Sequence, residues 1–181
     1  MNDVVLLTKA FALACAWHAS QRRKGKAREP YVNHLVEVAH LVTAATGGRD
    51  MDLSIAAVLH DAVEDANITP AQIEAEFGTD VAQLVMEVTD DKSLTYSERK
   101  QLQVESTPNK SPRAKMIKLG DKTSNLRSLV KSPPPWPLER KLEYVSWSRR
   151  VVAGARGVNT GLEVLFDAAA EEAERSLAAH C

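Results

Sequence analysis

Residues 53–65 read LSIAAVLHDAVED and contain neither glycine nor proline. An apolar run without a breaker predicts a helix. On that helix His60, Asp61, Glu64 and Asp65 share one side, because positions four apart stack on the same face. The apolar residues fall on the other side and can pack into a core. The segment therefore predicts a buried helix that carries a polar, acidic face.

Three carboxylates and one imidazole on that face repel one another and stabilise nothing by themselves. A divalent cation placed among them removes the repulsion, since both groups are good metal ligands. His60 and Asp61 are the candidate ligands. The alternative interpretation is a solvated acidic helix end that an unrelated histidine happens to precede.

The composition predicts one domain over residues 1–181, since 44% of the chain is hydrophobic and can bury one sizeable core. A formal net charge of −1 gives no global attraction to nucleic acid or to an anionic membrane. The sequence has no run of membrane-spanning length and no signal-like N-terminus, so we expect a cytoplasmic protein. Two cysteines, Cys15 and Cys181, form no disulfide or metal framework.

Helical periodicity runs through nearly the whole chain, which predicts an all-α fold. Asp50 is a plausible helix cap, Thr79 or Asp80 is another, and Leu102 and Val104 are expected to point inward. A basic segment at 21–30 and a proline-rich segment at 132–137 are predicted loops. The predicted helices cover about residues 4–20, 31–46, 51–61, 70–77, 79–88, 96–106, 111–130, 138–154 and 160–177.

Asp121 interrupts an apolar helix, where an unpaired charge would be expensive to bury. It can be the salt-bridge partner of Lys118 or Lys122, or it can be a further metal ligand with Asn125 and a lysine beside the site. His34 lies at a helix start next to the basic loop. A single histidine in that position is more often structural than a ligand, so His34 alone decides nothing.

The pattern His34 … His60-Asp61 … Asp121 resembles the HD superfamily of metal-dependent phosphohydrolases. A wider set of blocks is similar to the hydrolase domain of RelA/SpoT proteins, and above all to the stand-alone metazoan SpoT homologues and the bacterial small alarmone hydrolases. The resemblance extends from the first helix to about Trp147. Its blocks are RRK at 22–24, PYVNH at 30–34, LHDAVED at 59–65, VTDDK at 88–92 and KLGDKTSNLR at 118–127.

The resemblance implies a single HD-domain helical bundle with one divalent ion, usually Mn²⁺. Leu35 stands where the family commonly has proline, and Gly120 where it has alanine, which affects packing rather than chemistry. The implied metal ligands are His34, His60, Asp61 and Asp121. Glu64 and Asp65 would act on the water at the metal. The implied nucleotide contacts are Arg23, Lys24, Asn125, Arg127 and Tyr144.

The activity that the resemblance implies is hydrolysis of guanosine 3′,5′-bis(pyrophosphate) and its pentaphosphate form, which releases pyrophosphate from the ribose 3′ oxygen. The chain has no length for a synthetase domain, so we expect degradation only. Related specificities remain open, namely adenosine alarmones such as (p)ppApp or the 2′-phosphate of NADPH. So do a nucleotide-binding regulator with an inactive site and a purely structural helical domain. The sequence does not indicate the oligomeric state.

Overall fold

Helices make up almost the whole of the computed structural model, which describes residues 2–179. Within that range the only β pairing is an isolated bridge between Arg22 and Pro30, so the all-α prediction is confirmed. Cys181 lies outside the described residues. The elements are α1 Asp3–Trp17, α2 Val32–Ala45, α3 Met51–Leu59, α4 Ala62–Ala66, α5 Pro70–Phe77, α6 Thr79–Val88, α7 Tyr96–Ser106, a 3₁₀ turn Thr107–Asn109, α8 Pro112–Lys131, α9 Leu138–Ala153 and α10 Thr160–Ala178.

The helices begin and end near the predicted capping and loop residues, and one predicted cap is wrong. The Asp50 carboxylate accepts a hydrogen bond from the backbone N–H of Leu53 and caps α3, as the sequence predicts. The expectation that Thr79 or Asp80 caps α6 is wrong. Gly78 is the capping residue, with φ of 91°, because the chain must turn sharply between α5 and α6 and glycine tolerates a positive φ.

The helix predicted to run from residue 51 into His60 and Asp61, with Glu64 and Asp65 on the same face, is broken at His60 and Asp61. The α3 helix ends at Leu59, and α4 begins at Ala62. Asp61 adopts φ −102° and ψ 2° at the start of α4, while the His60 ring bonds back to the carbonyl oxygen of Ala57. Residues 53–59 are all buried, so α3 is a central helix rather than a one-sided one.

The core forms where α3 packs against α1, α2 and α6, and where α8 packs against α2 and α10. Gly120 sits at the contact between α8 and α2. A Cβ added there would lie 3.2 Å from Val42 Cγ2 and 3.4 Å from Val38 Cγ1. The absent side chain therefore lets α8 approach α2 closely, which brings Asp121 next to His34. Among residues 2–179, no helix combines the length and the apolar character needed to cross a bilayer.

The α7 helix differs from the others because none of its side chains is buried. Leu102 is 44% exposed, so the expectation that it points inward is wrong. The helix is held instead by polar and aromatic contacts. The indole N–H of Trp147 donates to the carbonyl oxygen of Lys100 at 3.0 Å, and Gln103 donates to the carboxylate of Asp90. These contacts fix α7 along the edge of the bundle without an apolar stripe.

The basic loop is anchored on the proline-rich loop, as close packing at Gly25 shows. A Cβ at Gly25 would lie 2.1 Å from the carbonyl oxygen of Ser132, which cannot rotate away. We expect Gly25→Ala to destabilise the protein by about 1–3 kcal/mol and to lower the Tm by several degrees. Thermal unfolding measures this, with Lys26→Ala, an exposed position in the same loop, as the control. Equal melting of Gly25→Ala and the wild type would contradict the anchoring.

Candidate active site

A cleft of about 430 Å³ opens between the basic loop, α4, α7, α8 and α9. Its floor is formed by His60 and Asp61 at the break between α3 and α4, and by Asp121 on α8. His34, on the first turn of α2, lies behind this floor and is 3% exposed. The four predicted metal ligands thus come from three separate elements that meet at one place.

Donor atoms of His34, His60 and Asp121 all lie within 4.8 Å of one another. The His34 Nε2 atom is 3.3 Å from Asp121 Oδ1. Asp61 borders the same group, with its Oδ2 atom 3.1 Å from His60 Nε2 and 3.7 Å from His34 Nε2. Such a set of two imidazoles and two carboxylates has the size and the chemistry of a divalent metal site.

The His60 ring is oriented as a metal ligand requires. Its Nδ1 atom lies 2.9 Å from the carbonyl oxygen of Ala57, which can only accept a hydrogen bond, so Nδ1 carries the proton. The Nε2 atom is buried and, although it is 3.1 Å from Asp61 Oδ2, no described residue is aligned to form a hydrogen bond with it. A buried nitrogen that faces two carboxylates without a hydrogen bond is explained by a cation between them. The donor set therefore fits the ion that it would hold.

The charges of this cluster are strongly coupled. Burial alone would lower the pKa of His60, but the carboxylates of Asp61 and Asp121 outweigh it and raise that pKa to about 9. Burial would likewise raise the pKa of Asp121, yet Lys122, His34 and His60 hold it well below its usual value. Despite burial, His60 and His34 likewise hold the pKa of Asp61 below its usual value. Both carboxylates are therefore ionised at neutral pH and available to a metal ion.

The salt bridge expected for Asp121 is present, and its position is also compatible with the metal-ligand interpretation. Its Oδ2 atom accepts from Lys122 Nζ at 2.8 Å, which is the salt bridge, and its Oδ1 atom faces His34. The amide of Asn125, one turn further along α8, donates to Oδ1 at 2.6 Å. One carboxylate oxygen is thus neutralised by a lysine, while the other is directed into the cluster.

The two acidic residues of α4 have different surroundings. Both oxygens of Asp65 are engaged, since Lys92 Nζ donates to one at 2.8 Å and Gln21 Nε2 to the other at 2.9 Å. Within the described part of the chain, Glu64 accepts only a long hydrogen bond of 3.4 Å from the backbone N–H of Asp90. Burial and the neighbouring carboxylates of Asp90, Asp61 and Asp65 raise the pKa of Glu64 to about 7. A carboxyl group with this pKa can exchange a proton near neutral pH.

The walls of the cleft are cationic and aromatic. Lys118 and Lys122 are buried at 5% and 4% exposure, and Lys118 donates to the carbonyl oxygen of Val88 at 2.9 Å. The ammonium groups of Lys100 and Lys122 lie 5.0 Å and 4.5 Å from the centre of the Trp147 ring. Buried cations and flat rings in one cleft suit a ligand that combines phosphate groups with a planar base.

Four of the five residues expected to contact a nucleotide line this cleft. Arg23, Lys24 and Tyr144 lie along it with Asn125, and Arg23 Nη2 donates to Asn125 Oδ1 at 3.2 Å. Arg127 is placed elsewhere. It does not line the cleft, and its Nη1 atom donates to Glu37 Oε1 at 3.0 Å behind the metal ligands. The structure therefore separates Arg127 from the other expected contacts.

Several residues of the site had no individual signal in the sequence. Tyr31 is one, and its hydroxyl donates to Asp61 Oδ2 at 2.7 Å. It belongs to the quoted block at 30–34, but nothing in that block indicates a bond to Asp61. Lys100 and Trp147 lie in amphipathic stretches, where a lysine is usually solvated and a tryptophan usually packs in the core. Only the arrangement of α7 against α9 brings them into the cleft.

Comparisons with known proteins agree with this geometry. The sequence profile of the family described as HD domain matches residues 10–145. The guanosine-3′,5′-bis(diphosphate) 3′-pyrophosphohydrolase MESH1 of Xenopus tropicalis is 44% identical over 167 residues, which covers 92% of this chain and 93% of that protein. MESH1 of Drosophila melanogaster is 46% identical over 151 residues, which covers 83% and 84%.

A solved structure gives the same result for the fold. It is described as a metazoan orthologue of SpoT that hydrolyses ppGpp and plays a role in starvation responses. It superposes with a TM-score of 0.89 at 41% identity, covering 95% of this chain and 96% of that one. On these matches the chain belongs to the HD-domain family and, within it, to the family of the MESH1 guanosine-3′,5′-bis(diphosphate) 3′-pyrophosphohydrolases.

Proposed function

We propose that this protein hydrolyses guanosine 3′,5′-bis(diphosphate) at its 3′-pyrophosphate, giving GDP and pyrophosphate, with Mn²⁺ as its metal ion. The pentaphosphate form would give GTP in the same way. The observation that supports this most directly is a metal-ligand cluster at the floor of a cleft whose walls are cationic and aromatic. Relatives that match nine-tenths of the chain carry the name of this activity.

The HD family implies a divalent metal ion, and Mn²⁺ is our specific choice. Two imidazoles and two carboxylates bind Mn²⁺, Fe²⁺, Co²⁺ and Zn²⁺, so availability and geometry decide among these ions. When bound, such an ion supplies a water of lowered pKa and neutralises charge on the phosphoryl oxygens. His34, His60, Asp61 and Asp121 would hold it. Metal content of the purified protein, followed by activity after chelation and reloading with each ion, tests the choice.

The side chains of the cleft account for the remaining steps. Glu64 accepts the proton of the attacking water. The water oxygen forms a bond to the phosphorus attached to the ribose 3′ oxygen, and the bond between that phosphorus and the 3′ oxygen breaks. A proton returns to the 3′ oxygen, so water and substrate give a 3′-hydroxyl and pyrophosphate. Lys118 and Lys122 are placed to offset the charge that builds up on the phosphoryl groups.

Product analysis across a nucleotide panel tests this function. With Mn²⁺ and guanosine 3′,5′-bis(diphosphate), we expect GDP and pyrophosphate in equal amounts. The same assay with ppApp and with NADPH separates the related specificities, because the first would give pyrophosphate and the second orthophosphate. Failure to release pyrophosphate from any 3′-pyrophosphorylated nucleotide would reject the proposal.

We further propose that residues 1–181 act as one domain, in the cytoplasm and without a nucleic-acid partner. The continuous core and the net charge of −1 support this view. The proposed partner is the nucleotide alone.

Arg23 tests how a nearly neutral protein holds so anionic a substrate. Its guanidinium lies in the cleft beside Asn125, whereas Lys26 in the same loop is exposed and outside the cleft lining. A planar guanidinium can fork onto a phosphate or stack on a base. We therefore expect Arg23→Ala to raise KM about tenfold or more and Lys26→Ala to leave it nearly unchanged. Steady-state kinetics at two salt concentrations measures both effects. Unchanged kinetics in Arg23→Ala would indicate that the basic loop is a solvated surface that does not bind the substrate.

A further inference from the structure

A hydrogen-bonded chain of side chains leads from the proposed metal ligand His34, which is buried, to the outer surface of α8. The His34 Nδ1 atom lies 2.9 Å from Ser124 Oγ. Ser124 Oγ in turn lies 2.7 Å from Glu37 Oε2, and Glu37 Oε1 accepts from Arg127 at 3.0 Å. His34 and Ser124 are 3% and 1% exposed, so water does not compete for the bond between them. The chain lies on the side of His34 that faces away from the cleft.

The direction of each hydrogen bond in this chain follows from the proton count. Burial would raise the pKa of Glu37, but hydrogen bonds from Ser124 and Arg127 outweigh it and lower that pKa below its usual value. The salt bridge with Arg127 at 3.0 Å likewise requires an ionised Glu37, which can only accept hydrogen bonds. The single hydroxyl proton of Ser124 must then be donated to Glu37. Ser124 Oγ is left as an acceptor toward His34, so the proton of the neutral imidazole is on Nδ1.

This direction decides what His34 offers to the cluster. With the proton on Nδ1, the lone pair is on Nε2, the atom that lies 3.3 Å from Asp121 and 3.7 Å from Asp61. His60 reaches the same state through the backbone carbonyl of Ala57. The two histidines thus have their metal-binding nitrogens selected by different means. For His60 the acceptor is fixed backbone, while for His34 it is a pair of side chains that substitution can remove.

We propose that Ser124 and Glu37 are positioning residues of the metal centre that fix His34 in the tautomer able to bind metal. Arg127 serves the centre by holding Glu37 in place, and it does not contact the nucleotide. The inference rests on the proposed metal-dependent function, since it concerns a ligand of that site. It assigns a role to two residues that the sequence motifs do not single out, and it replaces the expected role of Arg127.

The test is the affinity of the metal-free protein for Mn²⁺, measured by titration calorimetry without any nucleotide. Ser124→Ala leaves the Nδ1 proton of His34 without an acceptor, and we expect the Mn²⁺ dissociation constant to rise roughly 10- to 100-fold. Ser54→Ala is the matched control, because it also deletes a buried serine hydroxyl, one that donates to the backbone of Asp50. We expect the control to bind Mn²⁺ as the wild type does.

Glu37→Gln provides a second variant that does not threaten the fold, since the side chain of Glu37 is 35% exposed. The amide oxygen should pair with Arg127, which turns the amide N–H toward Ser124. The hydroxyl would then donate to His34 Nδ1, which reverses the chain and places the imidazole proton on Nε2. We expect weakened Mn²⁺ binding again. With Zn²⁺ as a diamagnetic probe, long-range ¹H–¹⁵N spectra should show a protonated Nδ1 in the wild type and a changed His34 signal in this variant.

The possible outcomes separate this inference from the function on which it rests. Wild-type Mn²⁺ affinity in both Ser124→Ala and Glu37→Gln would overturn the inference alone. Failure of the wild type to bind any divalent ion would overturn the metal-dependent function and the inference with it. For Arg127→Ala, we expect weaker Mn²⁺ binding and an unchanged KM for the nucleotide at saturating Mn²⁺. A raised KM under that condition would indicate that Arg127 contacts the nucleotide.

Discussion

Replacing His60 or Asp61 by alanine is expected to abolish metal binding and hydrolysis together. His60 belongs to the donor cluster with His34 and Asp121, and Asp61 Oδ2 lies 3.1 Å from His60 Nε2. Without the His60 imidazole, the metal ion loses one of its proposed ligands. The carboxylates of Asp61 and Asp121 also lose the neighbour that offsets their charge. We expect less than a tenth of the wild-type metal content and a fall in kcat of several orders of magnitude, roughly 10³-fold or more. Elemental analysis and the pyrophosphate-release assay measure the two quantities.

The control for this experiment is His40→Ala, which removes an exposed histidine of α2. It should keep the metal content and the activity of the wild type. Far-ultraviolet circular dichroism of all the variants checks that the helices remain folded. Metal content equal to the wild type in both His60→Ala and Asp61→Ala would show that the ion is held elsewhere.

Glu64→Gln is expected to separate chemistry from binding. The amide keeps the shape of the side chain but cannot accept the proton of the attacking water. We therefore expect kcat to fall about 10²- to 10⁴-fold while Mn²⁺ content and KM change little. Turnover at the wild-type rate would make Glu64 a bystander. Asp65→Asn is the informative comparison, because both oxygens of Asp65 are engaged by Lys92 and Gln21.

The pH profile gives an independent test of the same residue. Glu64 can accept a proton only when it is ionised, and its surroundings raise its pKa to about 7. The activity should therefore rise with pH and level off once Glu64 has lost its proton. A bound cation favours the ionised carboxylate, so the rising limb should lie at or below pH 7. The residual activity of Glu64→Gln should lack this limb.

The sequence predicts most of the helical framework because its signals are local. Prolines, glycines and capping residues such as Asp50 depend on a few neighbours, and the helices that they bound are found within about three residues of the predicted ends. The break at His60 and Asp61 was not predicted, since it depends on bonds from each side chain to a distant or backbone partner. One of these partners, Tyr31, is 30 residues away in the sequence.

The same distinction between local and long-range signals applies to the candidate site. The structure brings together the motif residues His34, His60 and Asp121. The motifs predict this because they contain the residue types of a metal site. The surroundings of each residue depend on packing, which the motifs do not encode. Arg127 illustrates the limit. It stands two residues after Asn125, and on a helix that spacing turns it toward a different face. The family resemblance implies a nucleotide contact for both residues, and of the two only Asn125 lines the cleft.

The lack of buried side chains on α7 has a consequence for motion. Opening a helix that buries none of its own side chains should cost less free energy than unfolding the bundle, so we expect α7 to open locally while α3 and α8 stay intact. Its backbone amides should exchange with deuterium well before those of α8. Tyr96, Arg99 and Lys100 on this helix line the cleft, so a bound nucleotide should slow that exchange. Product release would then depend on local opening of α7 rather than on a movement of the whole protein.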